Sequence, residues 1–377
     1  MHTLRCDILI LGAGPAGMAA ALSAAACNKQ VIILDDNPAP GGQIWRAGPQ
    51  TTLPALARRY RDAIAASAAI RMVNGARLIA RPSAHSVLFE TADGGGVVYW
   101  QKLILCCGAR ELSLPFPGWT LPGVTGAGGL QAQIKQGLSL KGEKVVIAGS
   151  GPLLLAVADT VNKAGGQVTN IIEQAPLPAL LRFASGLWRW PQKLRQLATL
   201  APKGYLSGAQ AIRAHGTTRL EAVTLRQRGV ERTIACDRLA IGYGLVPNIE
   251  TGLLFGCTTA QEAIQVNRWQ QTSLADIYAA GDCAVSVDML DGSKKILALW
   301  PNAVAQGRAA GSQMAGGDLT VGGGATLATT AAMTLNNAVH LNAGLTLAGS
   351  NTLNLSGVID GAGSLTKDGF GDLTLSG

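Results

Sequence analysis

The sequence predicts an α/β protein with two Rossmann-like dinucleotide-binding domains, the second inserted in the first, followed by a short C-terminal β-solenoid-like tail. Two segments predict the nucleotide domains, because residues 7–35 and 143–173 each run as a strand, a glycine turn, an apolar helix and a second strand. The tail is predicted by a change after residue 317, where leucine alternates with small polar residues.

Length and composition favour a globular chain of several domains, since 48% of its 377 residues are hydrophobic. The formal charge of the whole chain is +8, and its positive part lies in the first 317 residues, which hold 30 of the 31 Lys and Arg and 19 of the 23 Asp and Glu. Those basic residues are scattered without interleaved aromatic residues, so nucleic-acid binding is not expected. They favour attraction of anionic cofactors or of an acidic partner protein.

Seven cysteines without scaffold spacing favour a reduced, cytoplasmic chain. The apolar stretch at 8–26 could be taken for a membrane span or an export signal. It is interrupted by Gly-Ala-Gly-Pro and runs on into a second apolar strand without a charged stop. We therefore expect neither a membrane span nor export by this segment.

The first nucleotide segment carries G-x-G-x-x-G between its strand and its helix. Glycine is needed there because a Cβ atom would block the turn, the approach of the pyrophosphate, and the contact between helix and strand. Asp35 ends the second strand, 23 residues after the first glycine, at the distance where a carboxylate reaches ribose hydroxyls. The predicted phosphate-binding turn consists of Gly12, Gly14, Pro15, Ala16 and Gly17.

The second nucleotide segment repeats this order with Gly149-Ser150-Gly151, but Leu154 stands at the third glycine position. This pattern is weaker, since a leucine keeps the helix farther from the strand. Glu173 ends the following strand and would accept a hydrogen bond from a ribose 2′-hydroxyl while repelling a 2′-phosphate. NAD is therefore favoured over NADP if either binds, and the alternative of a domain without a nicotinamide cofactor stays open.

Four motifs together resemble the FAD-dependent pyridine nucleotide-disulfide oxidoreductase superfamily. They are GAGPAGMAAA in the first turn, PAPGGQIW at 38–45, LILCCGARELSLPFPGWTLPGV at 103–124 and IYAAGDCA at 277–284. The likeness is closest to the FAD subunit shared by opine oxidases, hydrogen cyanide synthase, dye-linked proline dehydrogenases and the sarcosine oxidase alpha chain. It implies FAD at the first turn, with further contacts from Gly41, Gly42 and Gln43 along the flavin, Gly108 at the crossing between domains, and Gly281 and Asp282 at the ribityl-pyrophosphate end.

The resemblance also sets the expected domain order. Residues 1–118 form the first part of the FAD-binding domain, 119–246 the NAD(P)-binding-like domain, and 247–317 the second part of the FAD-binding domain. The strand and Gly-x-Gly turn within 236–250 lead the chain back to the first domain. Residues 318–377 form the repeat tail.

No catalytic side chain is predicted, because a flavin accepts a hydride at its own ring. Disulfide-reductase chemistry needs a spaced cysteine pair, whereas Cys106 and Cys107 are adjacent and would point to opposite faces of a strand, so we interpret them as small core residues. Cys283 is the cysteine expected near the flavin. With no cysteine after it, an internal iron–sulfur cluster is not expected, and the four histidines lie outside every motif, so no metal site is predicted.

The tail repeats L-x-L-x-G at 345–349, 353–357 and 373–377. Alternation with a period of two sends leucine inward and polar residues outward, with glycine at each corner, as in a parallel β-solenoid. These 60 residues resemble the passenger-associated repeats of bacterial autotransporters. The interpretation is a flavoprotein chain joined to passenger-like sequence.

Three functional hypotheses follow. The first is an FAD-dependent oxidoreductase subunit that oxidises a C–N bond of an amino acid or opine-like amine and passes electrons to a second subunit or an electron carrier. The second is an NADH-dependent flavoprotein reductase of a small electron carrier, favoured by Glu173 and by the segment 284–317, which is similar to nitrite- and rubredoxin-reductase relatives. The third is a non-enzymatic, adhesin-like surface protein built around the tail.

Overall fold

Buried apolar runs build one sheet with a parallel core in each of two units of the protein, whose structure is a computed structural model. The sheet of the first unit also carries two strands, Arg77–Ser83 and Ser86–Thr91, which are paired antiparallel. The first unit comprises Met1–Trp45, Pro54–Gly108 and Pro247–Gly377, and the second comprises Arg46–Leu53 and Ala109–Val246. The structure describes residues 2–46, 48, 52–186, 204–267, 269–287, 294–295, 300–314, 319–321, 325–329, 333–335, 339–341, 344–349, 353–355, 358–368 and 372–375.

The helices, in chain order, are α1 (Pro15–Ala26), α2 (Ala55–Ala66), α3 (Ala127–Lys135), α4 (Leu153–Lys163), α5 (Leu177–Gly186), α6 (Glu250–Phe255) and α7 (Trp300–Met314). The strands before residue 300 are β1 (His2–Leu11), β2 (Val31–Asp35), β3 (Ile70–Asn74), β4 (Arg77–Ser83), β5 (Ser86–Thr91), β6 (Gly94–Leu105), β7 (Ala109–Glu111), β8 (Val124–Gly126), β9 (Lys144–Gly149), β10 (Gln167–Glu173), β11 (Tyr205–Ser207), β12 (Ala209–His215), β13 (Ala222–Gln227), β14 (Val230–Ala235), β15 (Arg238–Gly242), β16 (Leu245–Pro247), β17 (Thr259–Ala260), β18 (Ala263–Gln265), β19 (Ile277–Ala279), β20 (Ala284–Val287) and β21 (Lys294–Lys295).

The main sheet of the first unit runs in the order β3-β2-β1-β6-β5-β4, with β19 also pairing with β6. Strands β1, β2, β6 and β19 are parallel, and Leu11 pairs with Leu34 and with Leu105, which in turn pairs with Ala279. Because parallel strands end at a common edge, the turn after β1, the acid at the end of β2 and the segment after β19 meet there. The topology thus gathers three of the predicted FAD motifs.

Helices α1 and α7 of the first unit pack backbone to backbone. A Cβ atom on Gly307 would lie 2.1 Å from the Ala16 carbonyl oxygen, and one on Gly311 would lie 2.3 Å from that of Ala20. Real Cβ atoms do not approach an oxygen so closely, so both positions of α7 require glycine. This contact fixes the C-terminal helix of the unit against the helix that follows the first glycine turn.

The second unit has a five-stranded parallel sheet in the order β11-β10-β9-β15-β8 and an antiparallel meander of β12, β13 and β14. Its helix-side core lies between the sheet and helices α3 and α4 and includes Leu130, Val157 and Ile171. On the other face, Val146 and Ile172 share a core with residues of the meander. The parallel strands are therefore buried on both faces, which explains their unbroken apolar sequence.

The chain from Ala109 onward belongs to the second unit as far as Val246. Strand β7 pairs with β16, and the Glu111 carboxylate accepts hydrogen bonds from the backbone N–H groups of Gly128 (2.6 Å) and Gly129 (3.0 Å) in the first turn of α3. Residues 109–118 are thus grouped with the second unit, which begins ten residues before the boundary expected from the sequence. The four domain ranges predicted above stay predictions.

The C-terminal segment contributes nine strands among the described residues: β22 (Leu319–Val321), β23 (Ala325–Thr329), β24 (Met333–Leu335), β25 (Val339–Leu341), β26 (Leu345–Gly349), β27 (Leu353–Leu355), β28 (Ile359–Asp360), β29 (Leu365–Asp368) and β30 (Leu373–Leu375). They pair in parallel as β22-β25-β28, β23-β26-β29 and β24-β27-β30. Paired residues are 20 positions apart, as in Leu345 with Leu365 and Leu353 with Leu373. Six apolar side chains form a buried cluster there: Val339, Leu341, Leu345, Leu347, Leu353 and Leu355.

Within the parts of the chain that the structure describes, every helix is either too short or too polar to cross a bilayer.

Candidate functional site

The first glycine turn is tightly packed on one side and open on the other. A Cβ atom on Gly12, whose φ is +103°, would lie 2.3 Å from the carbonyl oxygen of Cys106 at the end of β6. One on Gly17 would lie 1.9 Å from the carbonyl oxygen of Gly12. At Gly14, which precedes α1, a Cβ atom would meet no heavy atom within 4 Å. The turn therefore presents bare backbone and the N-terminus of α1 on its open side, which suits a diphosphate.

Asp35 joins the end of β2 to this turn. Its carboxylate is 4% exposed, and one oxygen accepts a hydrogen bond from the backbone N–H of Ala13 inside the turn. The other oxygen accepts from the backbone N–H (2.7 Å) and the side-chain amide (2.8 Å) of Asn37. The carboxylate thus lies beside the turn, where the sequence predicted a ribose-binding acid, and Asn37 is a contact that the sequence did not reveal.

The segment Pro40–Trp45, named here the flavin loop, packs on the same turn. The N–H of Gly41 donates to the Ala13 carbonyl at 2.8 Å, and a Cβ atom on Gly42 would lie 3.1 Å from the Gly14 Cα atom. Both glycines have positive φ angles, of +128° and +57°. The two glycines therefore contact the turn through their backbones. The side chain of Gln43, the third residue predicted here, is exposed.

Gly281 and Asp282 reach the same edge from β19. Gly281 has φ +83°, and a Cβ atom on it would lie 3.1 Å from the Cβ atom of Ala16 in α1. Its N–H donates to the side-chain oxygen of Gln306 in α7 at 2.8 Å. Asp282 is partly buried, and this burial raises the pKa of its carboxyl. An acceptor in a partly dry position is suited to a ligand hydroxyl.

Gly108 follows β6 with φ +66° and with open space where a Cβ atom would lie. Its carbonyl accepts from the backbone N–H of Asn248 at 3.0 Å, and the Asn248 side-chain amide donates to the Cys107 carbonyl at 2.8 Å. Asn248 was not recognised from the sequence, because it lies 140 residues farther along the chain. It ties the end of β6 to the start of the last segment of the first unit.

The cysteines near this edge are free thiols: Cys106 and Cys283 are buried, and Cys107 is partly buried against the same core. Burial raises the pKa of Cys106 well above its usual value, raises that of Cys107 in the same direction, and raises that of Cys283 to about 11. Each therefore stays protonated at neutral pH, whereas attack on a disulfide needs the thiolate. The environment agrees with the interpretation of Cys106 and Cys107 as core residues.

The second glycine turn has the same construction in the second unit. A Cβ atom on Gly149 would lie 2.1 Å from the Gly242 carbonyl oxygen, and Gly151 has φ +91° with open space beside it. Leu154, at the third glycine position, lies in the first turn of α4 and is fully buried in the core between this helix and the sheet. The turn is therefore intact even though its third glycine is replaced.

Glu173 ends β10 beside this turn and is 1% exposed. One carboxylate oxygen accepts from the Gly151 N–H (2.9 Å) and from the Tyr205 hydroxyl (3.3 Å), and the other accepts from the Ala175 N–H (2.8 Å). Burial, followed by the neighbouring carboxylate, raises the pKa of Tyr205 to about 12. Tyr205 thus donates to the acceptor that a nucleotide ribose would use, a contact invisible in the sequence.

The predicted site residues fall into two groups, one at each glycine turn. In the first unit the residues around α1 leave bare backbone on one side, seat a buried acid at the strand end and hold a second carboxylate after β19. This donor and acceptor set fits FAD, whose diphosphate, ribose and ribityl hydroxyls need those three features. At the second turn, the glycines and Glu173 are arranged as in a site for NAD. The carboxylate that would accept from the NAD ribose, however, already accepts a hydrogen bond from Tyr205.

The comparisons with known proteins agree with this geometry. Residues 6–307 match the family described as pyridine nucleotide-disulphide oxidoreductase. Over 307 residues, covering 73% of the chain and 66% of the relative, the sequence is 32% identical to the hydrogen cyanide synthase component HcnB of Pseudomonas aeruginosa. It is 30% identical to an opine oxidase subunit of Agrobacterium tumefaciens, covering 74% of the chain and 61% of that protein.

Among solved structures, the fold is similar to that of the thioredoxin reductase of T. acidophilum, with a TM-score of 0.63 and 23% identity. The match covers 82% of this chain and 98% of that one. The chain spans less than two thirds of the length of the two sequence relatives named above. Residues 318–377 lie beyond the range that the family matches. By its sequence, its fold and its first glycine turn, the chain belongs to the FAD-dependent pyridine nucleotide-disulphide oxidoreductase family.

Proposed function

We propose that the chain is the FAD-binding subunit of an oxidoreductase that oxidises a C–N bond of an amino acid or opine-like amine and passes the electrons to a second subunit or electron carrier. The observation that carries FAD binding is the first glycine turn, packed against β6 and open above α1. The amine class is supported by the relatives, one of which is named for opine oxidation. Their names, which describe them as subunits, also support a second protein as the electron acceptor.

Each proposed cofactor contact has its own physical task. The backbone of Gly12, Gly14, Pro15, Ala16 and Gly17 seats the diphosphate, because it carries no side chain on the open side and ends at the N-terminus of α1. Asp35 accepts from the adenosine ribose, and Asp282 accepts from a ribityl hydroxyl. Gly41, Gly42, Gln43, Gly108 and Gly281 line the remaining length of the cofactor.

FAD, when bound, supplies the ring that accepts the hydride of the substrate. The chain contributes binding and orientation. The contacts of the flavin loop with the turn and of Gly281 with Gln306 hold the backbone around the cofactor in one geometry. The buried thiols of Cys106 and Cys283 stay protonated and take no part in electron transfer on this proposal.

A second candidate is an NADH-dependent flavoprotein reductase of a small electron carrier. It is favoured by the second glycine turn, where Gly149, Gly151 and the acid Glu173 retain the order of a dinucleotide site. The contact of Tyr205 with Glu173 argues against it, because a bound ribose would have to displace the phenol.

Anaerobic mixing separates the two candidates. The full chain is loaded with FAD and mixed either with NADH or with secondary amines and amino acids, while the flavin absorbance near 450 nm, about its usual maximum, is followed. Bleaching by an amine and indifference to NADH supports the amine dehydrogenase. Rapid bleaching by NADH alone refutes it in favour of the reductase. Failure of the purified chain to retain FAD at all supports the adhesin-like interpretation.

We propose further that residues 318–377 form a β-solenoid-like tail. The parallel pairing of residues 20 positions apart and the buried leucines support three stacked rungs. The likeness to autotransporter repeats stays a prediction. Seven free thiols support a reducing, cytoplasmic location.

A further inference from the structure

Arg61 of α2 lies directly behind the flavin loop. One nitrogen of its guanidinium, Nη2, donates to the carbonyl oxygens of Pro40 and Trp45, the first and last residues of the loop; the second contact is 3.0 Å long. The same nitrogen lies 2.9 Å from where a Cβ atom of Gly41 would be. A single side chain therefore holds both ends of the loop.

The guanidinium carries a charge that no carboxylate neutralises within the described parts of the chain. No Asp or Glu oxygen lies within ion-pair distance of Arg61 there, and its Nε atom is buried without a hydrogen-bond partner. Burial lowers the pKa of the guanidinium, as expected for a cation taken partly out of water. Such a charge is costly unless an anion lies close by.

The flavin loop that Arg61 holds also contacts the first glycine turn. Gly41 is hydrogen-bonded to Ala13, and Gly42 is packed on Gly14. The loop is therefore one backbone layer between Arg61 and the turn. A diphosphate seated on the turn carries negative charge toward this layer.

We propose that Arg61 is the positioning residue of the FAD site: it fixes the flavin loop against the diphosphate-binding turn, and its unneutralised charge attracts the FAD diphosphate. The residue belongs to none of the motifs that identify the cofactor site, and it acts through the loop rather than by touching the ring. This inference rests on FAD binding at the first turn.

The loop also has a support that does not involve Arg61. The Trp45 ring is buried and packs edge-on against Tyr60, with ring centroids 5.7 Å apart. The Tyr60 hydroxyl accepts hydrogen bonds from Arg308 of α7 at 2.6 and 3.0 Å. Variants of Arg61 therefore leave the loop attached at its Trp45 end while releasing its Pro40 end.

The test is a titration of the full-length apoprotein with FAD, followed by flavin fluorescence at several salt concentrations. The variants are Arg61→Met, Arg61→Gln and Arg61→Lys, with Arg59→Met as the matched control, because Arg59 is exposed on the same helix. We expect Arg61→Met to raise the FAD dissociation constant about tenfold or more, since it loses two charge-assisted hydrogen bonds and a cation. Arg61→Lys should recover part of the loss, and Arg59→Met should match the wild type.

Two further readouts distinguish positioning from simple stability. Loss of the cation should flatten the salt dependence of FAD binding and shift the flavin midpoint potential in the negative direction, because the reduced, more anionic flavin loses a favourable charge. If Arg61→Met does not fold, Arg61→Gln decides, since it keeps an N–H donor without the charge. Wild-type affinity, salt dependence and potential in the uncharged variant would overturn the inference. A wild-type chain that takes up no FAD would instead overturn the proposed function.

Discussion

The substitution Gly14→Ala separates cofactor binding from folding. The new methyl group meets no atom of the protein within 4 Å, and the φ of −69° at Gly14 is accessible to alanine, so the apoprotein keeps its stability to within about 0.5 kcal/mol. The methyl group points instead into the open side of the turn, where the diphosphate is proposed to lie. Forcing two groups into the space of one costs about 1–3 kcal/mol, which is a roughly 5- to 150-fold rise in the FAD dissociation constant.

The matched substitution Gly17→Ala should lower both the stability of the apoprotein and its affinity for FAD. Its methyl group would lie 1.9 Å from the Gly12 carbonyl oxygen, about 1.5 Å inside ordinary van der Waals contact, so α1 must move away from the turn. We expect the apoprotein to lose about 3 kcal/mol and FAD affinity to fall as well. Urea unfolding of the apoproteins and fluorescence titration with FAD measure the two effects. If Gly14→Ala binds FAD as tightly as the wild type, the diphosphate does not lie on this turn.

Three other changes probe features described above. Gly311→Val should lower the melting temperature of the full chain, since even a Cβ atom there lies 2.3 Å from the Ala20 carbonyl oxygen; an unchanged melting curve would contradict the backbone contact. Because the folded-state pKa of Tyr205 is about 12 against a usual 10.0, wild-type stability should fall as pH rises from 10 to 12, and Tyr205→Phe should lessen that fall in paired urea titrations. Iodoacetamide at pH 8 should spare Cys106 and Cys283 in the folded chain and modify both in urea, as mass spectrometry of the peptides would show; rapid labelling of the folded chain would refute their buried, protonated state.

Local sequence was sufficient to predict the two glycine turns and their acids. Gly12, Gly17 and Asp35 belong to one continuous βαβ unit, so their spacing alone determines which of them meet. The domain order came from a resemblance carried by short motifs and stays a prediction. The fold itself has two sheets with parallel cores, one in each unit.

The contacts that support the site were not predictable in this way. Gln306 reaches Gly281 across 25 residues, and Tyr205 reaches Glu173 across 32, with neither pair marked by a motif. Arg61 resembles the exposed arginines beside it on α2 until the flavin loop is placed over it. Such pairs depend on where helices and strands lie in space, and sequence patterns report periodicity within an element rather than the neighbours of its side chains.

The order of strands in the first unit has a consequence for biosynthesis. Strand β6 pairs with β1, which is synthesised early, and with β19, which is synthesised late. The carbonyl groups of α1 are covered only after α7 has been synthesised. At about 5–20 residues per second, a ribosome needs roughly 15 to 55 s to travel from the end of β2 to the end of α7. Throughout that interval the nascent chain exhibits an unfinished sheet edge and an uncovered helix, which are the features that chaperones bind.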